Sequence, residues 1–436
     1  METLFAALDS GATVLTASHH LARHLADAYD RDRARRAGCW PGADVLPYAA
    51  WLERTWEGGL DAGAWEGEGP PMLLSATQET ALWEGVLEES EAGGALLQLP
   101  AAARRAREAW GLLAAWRCRL EAHRALLNAD AEALLRWGTA LRRRLARHGW
   151  LDSATLPERL TAAFHDGRLT APAHVVLAGF DEFDPQQESL QEALRAAGTG
   201  IEVWRPQAGP GAAMRLNQPD AAHELEAAVR WARGLLEDDA AGPIGLVVPD
   251  LAHNRAAVER VLERILRPGA GLPGASGGHR PYHLSLGVPL AEVPVVRAAL
   301  QVLALARGAV PLEEAGALLR SPFLAGYPAE AYARARLDAR LRRFGVTTVS
   351  SARLRDLAMR TGERWEPCPR LAAGLARLTR AGAAPRRAAP ADWARLWARR
   401  LAALGWPGGR GLDSAEYQAL DAFRDLLSAF AGLGEV

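Results

Sequence analysis

Two adjacent carboxylates, Asp181 and Glu182, follow a short apolar run at residues 175–178. The run has the length of a buried strand, and a helical pattern begins a few residues later. In parallel α/β folds, side chains just past the carboxyl end of a strand face the crevice where ligands bind. In a nucleotide-hydrolysing protein, an acidic pair at this point would hold Mg²⁺ and position water. The alternative interpretation is a solvated loop between a strand and a helix.

A second candidate site follows residues 13–16, where the pattern predicts a strand that runs through a tight loop into a helix. Amide groups at such a helix N-terminus can cradle phosphate, although this loop lacks glycine. Ser18 is a suitable N-cap. His20 and His24 lie four residues apart on one helix face, but a zinc metalloprotease motif requires Glu after the first histidine, where this chain has Leu21. We therefore predict no metal site here.

The chain contains no lysine, so arginine accounts for all of the residues counted as lysine plus arginine. A Walker A phosphate loop requires a lysine ammonium group on the β- and γ-phosphates, and a Schiff-base mechanism requires a lysine amine. Both chemistries are excluded for this chain. GC-rich coding produces the same arginine bias, so the absence of lysine need not reflect selection for function.

Arginine is concentrated in residues 101–150, which contain eleven arginines and four acidic residues. The densest part consists of Arg142, Arg143, Arg144 and Arg147. Arginine interleaved with tryptophan can follow a phosphate backbone and stack on bases. The alternative is a solvated arginine face on a helix, and the sequence does not separate the two. The spacing of Trp110 and Trp116 favours a buried helical stripe for these tryptophans.

Length and composition indicate a protein with two or more domains, because 436 residues exceed what one hydrophobic core organises. The formal net charge is −1, so nucleic-acid binding would require a local basic patch. No apolar run is long enough to cross a membrane, and the N-terminus lacks the basic region of a signal peptide. Cys39, Cys118 and Cys368 form no CxxC pair, which favours a reducing, cytoplasmic environment.

The predicted elements alternate between strand-containing and helical segments, which indicates an α/β fold. A strand–helix unit is followed by a helical segment over residues 73–169, the acidic strand end, and a strand at residues 201–204. A second α/β unit follows, with strands at residues 244–248 and 284–287. Beyond residue 294 the pattern is helical.

This order, together with the acidic stretch DEFDPQQ, resembles the superfamily-one helicases of the UvrD and Rep type. The chain resembles more closely the inactivated, AddB-related members of that superfamily, which are probable DNA repair proteins. Four stretches are similar to this subgroup: TVLTASHHLARHL, WPGADVLPYAAWLERTW, LAGFDEFDPQQESL and LGVPLAEVPVVRAALQVL. The resemblance covers nearly the whole chain.

The resemblance implies RecA-like α/β domains of the P-loop NTPase type, each with a parallel sheet and a large all-helical insertion. A first domain would comprise residues 1–72 and 166–215, and its insertion residues 73–165. A second, incomplete domain would comprise residues 216–305. Residues 306–436 would form a helical insertion or extension.

The resemblance also implies that the nucleotide site is degenerate. The acidic motif corresponds to Asp181, Glu182, Asp184, Gln186 and Gln187. The phosphate-loop position is occupied by Ala17, Ser18, His19 and His20, without the glycines or the lysine of an active helicase. Active helicases also place a nucleotide-contacting arginine after the second-domain strand, where this chain has Pro249 and Asp250. We therefore expect no catalytic residues and no cofactor, with at most a vestigial ATP–Mg site.

The function implied by the resemblance is a catalytically inactive, helicase-like DNA-binding scaffold in double-strand-break repair and recombination. Its partners would be single-stranded or broken-end DNA, bound through the arginines of residues 142–147, and an AddA-like helicase–nuclease subunit, with no membrane partner. The chain ends after a helical run, so we expect a longer parent that continues into a PD-(D/E)XK nuclease domain. Two alternatives stay open: a weak or unconventional nucleoside triphosphatase that uses Asp181 and Glu182, and a protein-interaction scaffold that does not bind DNA.

Overall fold

A computed structural model describes residues 1–36, 38–65, 69–91, 93–95, 97–122, 127–206, 211–238, 242–269, 280–362, 366–382 and 384–435. The chain divides into two units. The first contains Met1–Ala208, Arg387–Ala394 and Leu427–Val436, and the second contains Gly209–Arg386 and Arg395–Leu426. The domain boundaries expected from the resemblance stay predictions.

The helices and strands follow one another along the chain in two series. The first series is α1 (Glu2–Asp9), β1 (Thr13–Thr16), α2 (His19–Ala34), β2 (Val45–Pro47), α3 (Tyr48–Asp61), β3 (Met72–Leu73), α4 (Ala76–Glu88), α5 (Leu99–Ala115), α6 (Ala129–His148), β4 (Trp150–Leu151), α7 (Leu156–His165), β5 (His174–Ala178), α8 (Pro185–Ala196) and β6 (Gly200–Trp204). The second series is α9 (Ala221–Glu237), α10 (Leu251–Leu266), α11 (Pro294–Arg307), β7 (Val310–Pro311), α12 (Leu312–Leu319), α13 (Tyr327–Arg343), β8 (Thr348–Val349), α14 (Ser351–Ala358), α15 (Pro369–Arg380), α16 (Pro390–Ala403) and α17 (Ser414–Ala431).

The first unit is built on a four-stranded parallel sheet in the order β2-β1-β5-β6. β1 pairs with β5 from Thr13↔Val175 to Thr16↔Ala178. These two central strands are almost completely buried, which is typical of parallel strands covered on both faces. The strands predicted at residues 13–16, 175–178 and 201–204 are confirmed, and the chain has the predicted α/β class with a parallel sheet.

Helices cover both faces of this sheet. On one face, Leu15 and Leu177 pack with residues of α3, α7 and α8. On the other face, Val14 and Val176 pack with residues of α1 and α2. Alternate residues of a strand point to opposite faces, so each central strand contributes to both clusters. This layering holds the carboxyl ends of β1 and β5 side by side.

Helices α4, α5 and α6 form a separate hydrophobic cluster in which Trp83, Leu141 and Leu145 are buried. The helical prediction for this segment is confirmed, apart from a two-residue parallel pairing of β3 with β4 that it did not include. The prediction that Trp116 is a core residue is wrong, because α5 ends at Ala115 and Trp116 is 46% exposed. A helical stripe predicts burial only where the helix continues and another element covers it.

The second unit lacks both of the strands predicted for it. Residues 244–248 and 284–287 do not form strands. Leu246 and Val248 pack against the cluster of α9 and α10, whereas Val247 is 95% exposed. This alternation is typical of a strand, but no described segment of the unit pairs with it, and a sheet requires a hydrogen-bonded neighbour. The prediction of a second parallel sheet is therefore wrong for the described residues.

The remainder of the second unit is mainly helical, and β7 and β8 form a two-residue antiparallel pair. Helix α14 packs closely against α15. The inward face of α15 includes Leu371, Leu375 and Leu378, all of which are buried. Among the described helices of the chain, none is long and apolar enough to cross a membrane.

Candidate functional site

The carboxyl ends of β1 and β5 are adjacent, with Thr16 paired to Ala178. The backbone N–H of Ala17 donates to the carbonyl of Ala178 at 3.3 Å, so the two chains stay together as they leave the strands. The loop before α2 and the acidic loop before α8 are therefore neighbours. They lie at the sheet edge where parallel α/β folds bind their ligands.

The predicted phosphate-loop position consists of two connecting residues, of which Ser18 caps α2, and the first two residues of α2. Its four residues are all exposed: Ala17, Ser18, His19 and His20. The Ser18 hydroxyl oxygen accepts a hydrogen bond from the backbone N–H of Leu21 at 3.3 Å. The Thr16 hydroxyl donates to the carbonyl of Ser18 at 2.9 Å. Ser18 thereby satisfies one of the free amide groups that a bound phosphate would use.

The Leu21 side chain lies against Gly179, at the start of the acidic loop. Gly179, directly after β5, has a φ of +77°, and a Cβ atom at this residue would overlap Cδ2 of Leu21. Only glycine combines this backbone conformation with so close an approach. The Leu21 side chain therefore lies over the end of β5, where a phosphate site would need polar donors and open space.

Asp181 and Glu182 are exposed beyond the end of β5. Neither forms a hydrogen bond or an ion pair with another described residue. Phe180 is buried and stacks on Phe183, with ring centroids 5.3 Å apart, which anchors the loop to the core. Within the described ranges, no group of three or more His, Cys, Asp or Glu residues could hold a metal ion. The acidic pair is thus placed where the sequence predicted, but it faces solvent.

The other residues of the acidic motif support the start of α8. Oδ1 of Asp184 accepts from the backbone N–H of Gln187 at 2.8 Å, and Oε1 of Gln187 accepts from the backbone N–H of Asp184 at 3.2 Å. Gln186 is buried and donates to the carbonyl of Ala154 at 2.9 Å. A capping residue, Pro185 in the first turn and Gln three residues after the cap are the signal of a helix start. The capping of α8 therefore explains why Asp184 and Gln187 occur at these positions, and no role in nucleotide binding is needed to explain them.

The interior beneath this loop is apolar. The Tyr48 hydroxyl is buried and has no hydrogen-bond partner among the described residues. Burial, and after it the negative charge of Asp184, raise the pKa of Tyr48 above its ordinary value. The adjoining cavity, lined by Tyr48, Phe180 and Leu190 among others, has a volume of about 10 Å³. Such a cavity holds no more than about one water molecule, so it is not a ligand site.

The four arginines predicted to bind nucleic acid lie on α6 but have different partners. Arg142 donates to Glu121 at 2.7 Å, and its guanidinium lies 5.3 Å from the centroid of the Trp110 ring. The hydrogen bond from Arg142 lowers the pKa of Glu121. Arg144 pairs with Glu89 at 2.5 Å. Two of the four charges are therefore neutralised by carboxylates.

Arg143 and Arg147 are exposed and form no ion pair with a described carboxylate. Their spacing of four residues places them on one face of α6. The carboxylates that pair with Arg142 and Arg144 are 21 and 55 residues away along the chain, beyond the reach of a local pattern. The sequence pattern alone therefore does not show which arginines of α6 lack a carboxylate partner, and the prediction that they bind nucleic acid stays a prediction.

The described residues offer an arginine surface on α6 and a sheet edge at which Leu21 lies against Gly179. Comparison with known proteins assigns no activity to either, because the chain matches no family model and no curated protein. The function has to be inferred from the residues at these two places.

Proposed function

We propose that this protein is a catalytically inactive, helicase-like DNA-binding scaffold that acts in double-strand-break repair and recombination. The observation that carries the proposal is Leu21, which lies over Gly179 where an active helicase of similar topology would bind nucleotide phosphate. The absence of lysine supports it, because the phosphate loop of an active enzyme depends on a lysine ammonium group. In this proposal the chain binds DNA and does not hydrolyse ATP.

A RecA-like fold for the first unit belongs to the same proposal. Four parallel strands in the order β2-β1-β5-β6 support it, as does the insertion of α4, α5 and α6 between β2 and β5. We propose no RecA-like fold for the second unit, because its described residues contain no parallel sheet.

Arginine is the residue type that would contact the DNA. Arg143 and Arg147 are exposed without a carboxylate partner among the described residues. A guanidinium group can bond phosphate bidentately, so an all-arginine surface can serve without lysine. Contacts to the phosphate backbone make binding independent of sequence and steeply dependent on salt.

The ligand in this proposal is single-stranded or broken-end DNA in the cytoplasm. The protein would pass the DNA to a nuclease domain of a longer parent chain or to an AddA-like helicase–nuclease subunit. Backbone contacts suit such a role, because a scaffold for broken ends must accept any sequence.

The test is fluorescence anisotropy of labelled single-stranded and duplex DNA across a salt series, with and without ATP–Mg. We expect binding that weakens steeply with salt and that ATP–Mg does not change. Replacing Arg143→Gln and Arg147→Gln together should reduce the slope of log K against log salt by about 1.4 for single strands. Asp181→Ala with Glu182→Ala should leave the affinity unchanged.

Three results would count against the proposal. Absence of DNA binding at low salt would exclude the scaffold, and capture of an acidic protein would then favour the protein-interaction alternative. Protection from heat unfolding by ATP–Mg, lost in the variant with both acidic residues replaced, would favour the nucleoside triphosphatase. A clear loss of DNA affinity in that variant would show that the exposed acidic pair takes part in binding.

A further inference from the structure

A second arginine-rich region lies in the second unit. Residues 351–400 contain twelve arginines and four acidic residues, a larger surplus than in residues 101–150. Helix α15 contributes three arginines and no acidic residue. These are Arg370, Arg377 and Arg380, named here the α15 arginine stripe, and all three are exposed. In a helix of 3.6 residues per turn their spacing places them within an arc of about 80°.

The arginines of the stripe form no ion pair with a carboxylate in the described part of the chain. Nε of Arg377 donates to the carbonyl of Ala403 at 3.0 Å, and Nε of Arg380 donates to the carbonyl of Ala376 at 3.3 Å. Backbone carbonyls orient a guanidinium without neutralising its charge. The terminal nitrogens of the stripe are therefore left for an anionic ligand.

The opposite side of α15 anchors the stripe to the unit. Leu371, Leu375 and Leu378 are buried. The first turn is held by Glu330, whose Oε1 accepts from the backbone N–H of Arg370 at 2.6 Å and whose Oε2 accepts from that of Leu371 at 3.1 Å. Because these contacts hold the start of the helix, binding at the exposed side requires little further ordering of the backbone.

We propose that the α15 arginine stripe binds the phosphate backbone of a nucleic acid, which is DNA in the function proposed above, on which this inference rests. From residue 370 to residue 380 the helix rises about 15 Å. That length corresponds to about four phosphates along one strand of B-form DNA. Ala373 lies within the same arc and is exposed and small, so a nucleic-acid backbone can approach closely. An evenly charged strand fits such a row better than the scattered carboxylates of an acidic protein.

The test compares two triple variants of the full chain by anisotropy with labelled single-stranded DNA over a salt series. Arg370→Gln with Arg377→Gln and Arg380→Gln should bind at least about tenfold more weakly at low salt and reduce the salt slope by about 2. The matched variant with lysine at the same three positions keeps the charge and should keep the slope. Circular dichroism and thermal unfolding confirm that each variant is folded.

The outcomes separate this inference from the proposed function. If the unaltered chain does not bind DNA, the proposed function fails and the inference fails with it. If the unaltered chain binds and the folded glutamine variant binds equally well, only the inference fails. If the glutamine variant keeps DNA binding but loses binding to polyglutamate, the stripe contacts an acidic protein instead. If the triple glutamine variant does not fold, the double variant Arg370→Gln with Arg380→Gln tests the inference instead. It should reduce the slope of log K against log salt by about 1.4.

Discussion

The arginines of α6 and those of α15 occur at similar density but have different neighbours. On α6, Arg142 and Arg144 pair with Glu121 and Glu89. On α15, Arg377 and Arg380 donate to backbone carbonyls, not to carboxylates of the described residues. A surface ion pair adds little stability, yet its carboxylate competes with phosphate for the same guanidinium. The number of basic residues in a window therefore does not measure the charge that the folded surface offers.

The largest expected effect is on stability and comes from replacing Glu330, which holds the start of α15. Glu330 is buried and pairs at 2.8 Å with Arg334, which is fully buried. Glu330→Ala leaves a buried guanidinium unpaired, so we expect the free energy of unfolding to fall by about 3–5 kcal/mol in urea denaturation. The control is Glu366→Ala, which removes a partly exposed ion pair with Arg336. This substitution should change the free energy of unfolding by less than about 1 kcal/mol. Equal effects of the two substitutions would show that Glu330 does not anchor the stripe.

The next effect concerns the carboxylates that neutralise α6. Glu89→Gln with Glu121→Gln should free Arg142 and Arg144, strengthen DNA binding and increase the salt slope by about 1.4 for single strands. Anisotropy across a salt series measures both. Asp181→Asn with Glu182→Gln changes the net charge equally but frees no arginine, so it should have little effect. An equal increase in DNA affinity in both variants would mean that the net charge of the protein, and not the α6 surface, sets the affinity.

A smaller effect distinguishes the two kinds of acidic residue in the loop before α8. Asp184 caps the helix, so Asp184→Ala should lower the free energy of unfolding by about 1 kcal/mol. Asp181→Ala, at an exposed residue, should leave it nearly unchanged, and neither substitution should alter DNA affinity. Thermal and urea unfolding measure the stability. If Asp181→Ala is the more destabilising of the two, the capping role assigned to Asp184 is wrong.

The smallest effect is a dependence on pH that only α6 should show. The hydrogen bond from Arg142 lowers the pKa of Glu121 below its ordinary value of 4.5. A carboxyl group with a lowered folded-state pKa contributes stability above its ordinary pKa and loses it as the pH falls through the lowered pKa. Any difference in unfolding free energy between the unaltered chain and Glu121→Gln at pH 7 should therefore disappear in strong acid. Arg380→Gln on α15, which removes no carboxylate pair, should show no such convergence, and a parallel loss in both would contradict the comparison.

The sequence alone determined the local structure of the candidate site. The short apolar runs at residues 13–16 and 175–178 predicted the two central strands, because strands buried on both faces need apolar side chains at successive positions. Ser18 has the residue type and position of an N-cap, and Asp184 and Gln187 carry the signal of a capping box. These features depend on a few consecutive residues, so a single sequence contains them.

Only the tertiary structure decided what the site can do. The contact of Leu21 with Gly179, and the pairing of Arg142 with Glu121, join segments that are distant along the chain. At residues 244–248 the local pattern is present but the tertiary partner is not. These residues have the alternation of a strand, yet no described segment pairs with them. A local sequence pattern predicts which side of a helix or strand is buried. Contacts between elements depend on which distant segments the fold brings together.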